Sequence, residues 1–396
     1  MLLQGGRNIL TVVKKSYDEI NEKIKKGKAV VLTAEEIIPM VAEQGIKKTL
    51  KEVDVVTTAT FGPMCSSGVF FNFGHSNPPI RMKKVWLNNV PAYAGIAAVD
   101  AYLGATEESE NNGANYGGAH VIEDLLEGRP VKLRALGTGT DCYPNKMVEG
   151  YINLNDVNEA ILFNPRNAYQ NYVAATNSSV DTIYTYMGIL LPKYGNVTYS
   201  TAGQLSPLLN DPNLRTIGPG TKIFLGGTQG LIAWSGTQCN TLREKNEHGV
   251  PIGPGATLSV IGDLKKMDSR YLKAAIYQGY GVSLFVGIGI PIPVLDEDML
   301  RCLAIKDEDI STYIYDYGVC TNRPTVAKVT YGQLKSGHVN INGKKVLTAP
   351  LSSLVRAREI ADTLKKEITN GNFLLQEPVM KIFSENPIKP MTFKEV

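Results

Sequence analysis

The chain has 396 residues, of which 43% are hydrophobic and 20% are charged, values typical of a globular protein and unlike a disordered or fibrous one. Its 41 basic and 38 acidic residues leave a net charge of +3 without a long block of either sign, which argues against nucleic acid or a membrane surface as a partner. At about 150 residues per domain, the length fits two or three units or one large domain. We expect one functional domain over residues 1–396, with lobes at 1–195 and 196–396.

The termini and the cysteine count predict a cytoplasmic protein. Residues 1–8 lack the apolar run of a signal peptide, and no apolar stretch reaches the roughly 18 residues that a membrane span requires. Five cysteines, an odd number, favour free thiols in a reducing compartment. The cysteines and histidines show no C-x-x-C or H-x-x-x-H spacing, so no local metal motif is present, and an iron–sulfur cluster built from distant cysteines stays open.

The chain begins with two predicted helices. Residues 16–26 place Ile20 and Ile24 on one face of a charged helix. Thr33 and Glu36 match a capping box, which predicts a second helix that ends at Gly45.

Two later segments share one order of elements, a strand followed by a turn and then a cysteine. Residues 53–60 are rich in β-branched side chains and run into a Gly-Pro turn just before Cys65. A helix at 118–126 and a strand at 131–136 lead into the glycine-rich turn before Cys142. In open α/β sheets, ligands bind outside the carboxyl ends of strands, so both cysteines would face one crevice if their strands were neighbours.

The remaining elements complete an α/β prediction, a mixed sheet with flanking helices and with catalytic loops at the carboxyl ends of strands. We predict helices at 167–175, 269–278, 296–303 and 352–369, and strands at 196–200, 221–225 and 281–290. The dipeptide Asn342-Gly343 predicts a hairpin over 338–347.

Cys65 and Cys142 are surrounded by turn-forming residues, whereas a structural cysteine is usually a small apolar filler. Their setting indicates thiol chemistry. Cys239 lies in a similar loop and is a reserve candidate, while Cys302 and Cys320 are predicted to be core residues.

Several segments together resemble the homocysteine biosynthesis family, whose members incorporate sulfur into L-aspartate semialdehyde. The resemblance rests on residues 58–68 with Cys65, 74–76, 85–95 and 137–144 with Cys142, and extends to 287–293 and to the terminal hairpin and helix. The two cysteines are 77 positions apart (142 − 65), as are the two functional cysteines of the family.

The resemblance implies a sulfurtransferase that forms L-homocysteine from sulfide or a persulfide donor. One cysteine would carry a persulfide and the other would close a transient disulfide. Asp141 beside Cys142 would raise the pKa of that thiol, which favours Cys65 as the carrier. Longer family members carry CBS modules and work with a ferredoxin-like module, so two electrons would come here from a separate ferredoxin-like protein. No cofactor motif is present, and a homo-oligomer stays open.

Further residues could support this chemistry. His75, in a polar loop ten positions after Cys65, could donate a proton to the carbonyl oxygen or activate a thiol. Arginines suit the substrate carboxylate, and loop residues beside the cysteines could bind an anionic group. The substrate-binding candidates are Arg81, Arg134, Arg166, Ser66 and Thr140.

Two other functions fit the same residues. One is a cysteine-nucleophile acyl transferase or hydrolase that uses Cys65 with His75 through a thioester. The other is a sulfur- or ligand-binding protein without activity of its own.

Overall fold

The computed structural model describes residues 14–167, 169–382, 389 and 391–394. The helices in these ranges are α1 (Tyr17–Lys25), α2 (Ile37–Gln44), α3 (Ile46–Glu52), α4 (Gly118–Leu126), α5 (Pro207–Asn210), α6 (Glu297–Leu303), α7 (Tyr331–Lys335) and α8 (Leu354–Thr369). None of the helices in this part of the chain has the length and apolar character needed to cross a bilayer.

The strands of the first half are β1 (Val31–Thr33), β2 (Val55–Pro63), β3 (Gly68–Asn72), β4 (Lys84–Leu87), β5 (Val90–Ala92), β6 (Asp100–Gly104), β7 (Glu108–Ser109), β8 (Gly113–Gly117), β9 (Val131–Leu136), β10 (Met147–Ile152), β11 (Glu159–Asn167), β12 (Ala174–Thr176), β13 (Ile183–Thr185), β14 (Gly188–Leu190) and β15 (Asn196–Tyr199). Those of the second half are β16 (Lys222–Leu225), β17 (Thr228–Ser235), β18 (Leu258–Asp263), β19 (Leu272–Tyr277), β20 (Gly281–Pro293), β21 (Ser311–Asp316), β22 (Thr325–Thr330), β23 (His338–Ile341) and β24 (Lys344–Pro350).

The predicted helix starts are confirmed. Ser16 caps α1, since its hydroxyl accepts from Glu19 N and its own N–H donates to the Glu19 carboxylate. Thr33 and Glu36 form the same reciprocal pair ahead of α2. The hairpin around Gly343 is also confirmed, because Asn342 and Gly343 both adopt the positive φ of a type I′ turn.

The largest sheet has the order β1-β2-β20-β16-β17-β18-β11-β3-β6, and β19 pairs with β20. β1 is parallel to β2 and the other pairs are antiparallel. The prediction of an α/β fold with a mixed sheet is therefore confirmed.

This sheet is strongly curled. Five strands separate β2 from β3 in the sheet order, which in a flat sheet would place them about 29 Å apart at about 4.8 Å per strand. The five Cα–Cα steps from Pro63 to Gly68 span at most about 18 Å. The sheet must therefore bend back on itself, and α4 contacts β3 and β6 on one side and β19 and β20 on the other. Cys65 lies in the short link that joins the two sides.

Helix α8 covers the β2 and β20 part of the sheet. Its backbone carbonyl at Ala361 accepts a hydrogen bond from Thr57 Oγ1 at 3.0 Å. A Cβ on Gly287 would lie only 2.8 Å from the Ile360 side chain, so glycine at this position allows the helix to pack closely on the strand. The large core contains both Ile360 and the apolar side chains of β20.

Besides the large sheet, the described residues form two sheets of four or more strands and two hairpins, β7-β8 and β13-β14. The order β22-β21-β12-β15-β24-β23 forms a six-stranded sheet with its own core, and β10-β9-β4-β5 forms a four-stranded sheet. The large sheet draws strands from both sides of residue 195, and the division into lobes at 1–195 and 196–396 stays a prediction.

Two predicted helices are wrong. Residues 167–175 contain the end of β11 and the start of β12, and Asn171 between them has a φ of 54°, which a right-handed helix does not allow. Residues 269–278 contain β19, whose pairing with β20 overrides the local preference for a helix.

The expectation that the strands before the two cysteines are neighbours is also wrong. β2, before Cys65, belongs to the large sheet, whereas β9, before Cys142, belongs to the four-stranded sheet. Each cysteine does follow the carboxyl end of its strand, as predicted.

Asp54, next to the start of β2, is a buried carboxylate held by two lysines of the α1 region. Its side chain is 1% exposed, and Oδ1 lies 2.9 Å from Lys15 Nζ and 2.6 Å from Lys23 Nζ. Val30 N donates to Oδ2. Burial acts to raise the pKa of Asp54, but the hydrogen bonds from Lys23, Lys15 and Val30 outweigh it and hold that pKa below its ordinary value.

We expect Asp54→Asn to lower the free energy of unfolding by about 3 kcal/mol at pH 7, because both lysines lose their partner. The carboxylate stabilises the fold fully above the ordinary aspartate pKa of about 3.9, and this contribution is lost as the pH falls through the lower folded-state pKa. The difference in free energy of unfolding between wild type and variant, measured by urea unfolding, should therefore be smaller at pH 3 than at pH 7. Glu22→Gln, at an acid on α1 that is 52% exposed, is the control and should leave the free energy of unfolding close to that of wild type at both pH values. Equal losses in both variants would contradict this role of Asp54.

Candidate active site

Cys65 lies in a tight turn between β2 and β3. Met64 N donates to Leu284 O of β20 at 2.8 Å. Ser67 donates to Met64 O through both its backbone N–H and its hydroxyl, and Asn164 Nδ2 donates to that hydroxyl at 2.8 Å. These bonds fix the backbone on both sides of the cysteine.

The thiol of Cys65 has a buried hydroxyl as its partner. Its Sγ lies 3.2 Å from Oγ of Ser283, which is fully buried in β20. A hydroxyl in this position can donate a hydrogen bond to a thiolate or to a terminal persulfide sulfur. Ser283 was not among the predicted site residues, and its only signal in the sequence is a single hydroxyl within the apolar run of 281–290.

Cys65 lines a cavity of about 390 Å³ between the large sheet and the six-stranded sheet. β2 and its turn contribute one wall, the segment after β11 a second, and the segment after β15 a third. Ser66 and Arg166 also line the cavity. A half-buried thiol thus faces a partly open cleft large enough for a small metabolite.

Tyrosine side chains form much of this cavity. Tyr169, Tyr172, Tyr186 and Tyr280 line it. Tyr172 OH donates to Tyr186 OH at 3.1 Å, and Tyr186 OH lies 2.8 Å from the Tyr317 hydroxyl. These tyrosines were not among the predicted site residues, although tyrosines recur within residues 169–186 and 277–280.

Burial raises the pKa of phenols in and beside the cavity. It raises the pKa of Tyr169 and Tyr280 in the cavity wall and of Tyr277 nearby, and the negative charge of a Cys65 thiolate raises each of the three further. These hydroxyls remain hydrogen-bond donors at neutral pH and lie close enough to Cys65 to interact with its charge. They can therefore stabilise negative charge that develops on sulfur or on a substrate oxygen.

Arg166 brings a positive charge to the cavity. A β-bulge between Asn164 and Asn167 turns the chain here, and Arg166 N donates to Asn164 Oδ1 at 2.7 Å. Within the described ranges no carboxylate forms an ion pair with its guanidinium, whereas most other arginines there have an acidic partner. The guanidinium is thus available for a ligand carboxylate.

Cys142 lies in a different place, on the exposed loop between β9 and β10. This loop packs against the loop that carries His75. The His75 ring stacks on Tyr143 with 5.8 Å between centroids, and Asn145 Nδ2 donates to Ser76 Oγ at 3.3 Å. His75 is therefore beside the loop of Cys142 and not beside Cys65.

Strand β3 separates the two groups. Cys65 precedes it and His75 follows it, so its five residues place them about 17 Å apart at about 3.3 Å per residue. A Cys65–His75 pair, which the acyl-transfer alternative needs, does not exist within one subunit. Nor does Cys142 line the cavity that contains Cys65.

The other predicted residues also lie outside the cavity. Thr140 is exposed in the Cys142 loop, where its hydroxyl accepts from Tyr143 N at 3.1 Å. Arg81 is exposed, and the Arg134 guanidinium lies 5.1 Å from the Trp86 ring. The structure thus brings together Cys65, Ser66 and Arg166 and separates them from the remaining candidates, which are Cys142, His75, Thr140, Arg81 and Arg134.

The remaining cysteines differ in exposure. Cys239 is buried and Cys302 is half-buried on α6, and burial raises the pKa of both thiols. Cys320, predicted as a core residue, is exposed, because it lies in the loop between β21 and β22. Across the described ranges, no three His, Cys, Asp or Glu side chains gather as a metal-ligand set.

Comparisons with known proteins show which family the chain belongs to. Residues 29–375 match the family model "Homocysteine biosynthesis enzyme, sulfur-incorporation". A protein of Methanosarcina acetivorans named L-aspartate semialdehyde sulfurtransferase is 51% identical over 96% of this chain and 74% of its own length. One of the same name from Methanocaldococcus jannaschii is 55% identical over 93% of this chain and 73% of its own.

An uncharacterized protein of Methanothermobacter thermautotrophicus is 31% identical over 81% of this chain and 72% of its own length. No solved structure matches the chain significantly. The family model covers most of the chain and includes the cavity with Cys65, Ser283 and Arg166. The chain belongs to the family of sulfur-incorporating homocysteine biosynthesis enzymes.

Proposed function

We propose that the chain is a cytoplasmic sulfurtransferase that converts L-aspartate semialdehyde into L-homocysteine. The observation that carries the proposal is the cavity that Cys65 shares with Arg166, whose guanidinium has no acidic partner in the described ranges. The names of two relatives that are 51% and 55% identical support the same reaction.

The overall reaction requires two electrons. An aldehyde, hydrogen sulfide, two electrons and two protons give a thiol and water. We propose a separate ferredoxin-like protein as the electron donor and sulfide, or a persulfide that releases it, as the sulfur donor.

Each group in the cavity has a proposed role. Arg166 holds the substrate carboxylate through paired N–H bonds. Protonated phenols such as Tyr280 donate to the aldehyde oxygen as it gains negative charge. Ser283 supports the negative charge of the sulfur on Cys65, because its hydroxyl lies 3.2 Å from Sγ.

A persulfide cycle with a second thiol balances the reaction. Sulfide opens a disulfide between Cys65 and the second thiol, which gives a Cys65 persulfide and a free thiol. The outer sulfur then adds to the aldehyde carbon, whose oxygen becomes a hydroxyl. Two external electrons and two protons break the C–O bond, so that the oxygen leaves as water and the carbon gains a hydrogen. The second thiol then attacks the Cys65 sulfur, which breaks the S–S bond to the product, releases homocysteine and re-forms the disulfide.

We propose Cys142 as the second thiol. Because it lies in an exposed loop outside the cavity, it must reach Cys65 through movement of that loop or from a second copy of the chain.

The test is formation of homocysteine by the purified chain from aspartate semialdehyde and sulfide with titanium(III) citrate as reductant. We expect homocysteine in proportion to enzyme and to two reducing equivalents per product, measured by mass spectrometry. Omission of the reductant should stop the reaction after at most one turnover. Absence of product under anaerobic conditions, with folded protein confirmed by circular dichroism, would reject the proposal.

A further inference from the structure

The four-stranded sheet has one solvent-exposed face next to Cys142. Strand pairing sets Lys84, Leu136 and Met147 side by side on neighbouring strands, in a row next to the Cys142 loop. The next row contains Trp86, Arg134 and Glu149. Because alternate residues of a strand share one side, these side chains lie on the face opposite the buried side chains of the sheet. We call this surface the β9 face.

The β9 face is basic. Residues 81–87 and 131–152, which include it and the Cys142 loop, contain six basic and two acidic residues, a net charge of +4. Since the whole chain has a net charge of +3, the rest of it carries −1. Within the part of the chain that the structure describes, Lys132 is the one of the six cations with an ion pair, at 2.6 Å from Glu149. Lys84 and Arg134 on the face and Lys146 in the adjoining loop therefore offer their charge to a partner.

The face also carries side chains that are enriched in protein interfaces. Met147 is 56% exposed and Tyr151 is 72% exposed, and Arg134 stacks over Trp86. Aromatic residues, methionine and arginine of this kind are favoured at protein–protein contacts. A surface selected only for phosphate would not need exposed apolar groups, so the face fits a protein better than a nucleic acid.

The face is small. Strands of four to six residues span about 13 to 20 Å, and three neighbouring strands add about 10 Å in the other direction. Since even a transient electron-transfer contact covers several hundred Å² on each partner, the face forms the centre of a contact that extends onto the Cys142 loop.

We propose that the β9 face is the docking surface for the acidic electron-transfer protein that supplies the two electrons of the reaction. This inference rests on the proposed function for the identity of the partner, but the surface itself is defined by charge and exposure. Docking here brings the partner beside Cys142, the exposed thiol at the edge of the face. Like charges oppose a symmetric contact of this face with the same face of a second copy.

The test uses charge reversal and a strongly acidic bacterial-type 2[4Fe–4S] ferredoxin as the probe. Lys84→Glu combined with Lys146→Glu reverses two exposed cations at the row and loop next to Cys142. The matched control combines Lys328→Glu and Lys345→Glu, two exposed lysines on the six-stranded sheet. Binding is measured by calorimetry at 20 mM and 200 mM salt, without substrate.

We expect the Lys84/Lys146 variant to bind the ferredoxin at least tenfold more weakly than wild type, and the control variant to bind within twofold of wild type. Wild-type binding should weaken at high salt. Equal binding by all three proteins, no binding by wild type at low salt, or tighter binding of wild type to duplex DNA than to ferredoxin would overturn the proposal.

The same variants separate this inference from the proposed function. With reduced ferredoxin as donor, homocysteine formation should fall at least tenfold in the Lys84/Lys146 variant. With titanium(III) citrate it should stay within twofold of wild type. If no protein forms homocysteine with either donor, the proposed function fails, while the binding measurement still decides the docking surface.

Discussion

Replacement of Cys65 by Ser is expected to reduce homocysteine formation at least about a thousandfold, which is typical for loss of the reacting nucleophile. The reason is geometric. Cys65 lines the cavity beside Arg166, and a serine hydroxyl can still bond to Ser283 but cannot carry a persulfide. The measurement is the rate of homocysteine formation with titanium(III) citrate. A second measurement is the intact mass after the protein has been oxidised to its disulfide form and then treated with sulfide, where the variant should lack the added sulfur atom.

Cys302→Ser is the matched control, because this half-buried cysteine on α6 does not line the cavity. It should keep more than half of the activity. Full activity of Cys65→Ser would end the assignment of Cys65, and an acyl adduct on Cys65 in place of a persulfide would favour acyl transfer.

Mixing the Cys65→Ser and Cys142→Ser proteins tests how the second thiol reaches the cavity. Recovery of activity in the mixture would show that Cys142 acts from another copy of the chain. If each variant is inactive alone and the mixture is inactive too, movement of the Cys142 loop within one subunit is favoured.

Replacement of Arg166 by Gln is expected to lower kcat/KM for aspartate semialdehyde several hundredfold, since two charge-assisted hydrogen bonds are together worth about 3–4 kcal/mol. Most of the change should appear in KM for the aldehyde, while KM for sulfide stays within twofold. Arg166→Lys keeps the charge but loses the paired geometry, so its loss should be intermediate.

A substrate without the carboxylate provides the sharper readout. Wild type and Arg166→Gln should convert 3-aminopropanal with similar, low efficiency, because neither can use the missing group. Arg301→Gln, at an exposed arginine on α6, is the control and should leave the kinetics unchanged. An equal loss for both aldehydes would mean that Arg166 supports the structure of the cavity and does not bind the carboxylate.

Local sequence signals predicted the local parts of the fold. The caps at Ser16 and Thr33 and the strand before Cys65 depend on neighbours within a few residues, and the structure confirms them. The helix predicted at 269–278 failed because its state is set by pairing with β20, which the segment itself does not encode.

The site could be predicted only in part for the same reason. The turn around Cys65 indicated a functional thiol. Its partner Ser283 is 218 positions away in the sequence, and the register of β2 with β20 brings the two side chains together. His75 is near Cys65 in sequence yet lies at the other end of β3. Of the three candidate arginines, only Arg166 lines the cavity, and it lies in the bulge of β11.

The short link between β2 and β3 ties the chemistry of Cys65 to the integrity of the whole domain. Its thiol sits where a bent sheet closes, so it cannot be displaced without breaking contacts with β20. The loop of Cys142 lies at the surface and is held to the loop of His75 by the stacking of His75 on Tyr143 and by the bond from Asn145 to Ser76. The protein therefore combines a sulfur anchored where the sheet closes with a surface sulfur that can travel only after these local contacts have opened.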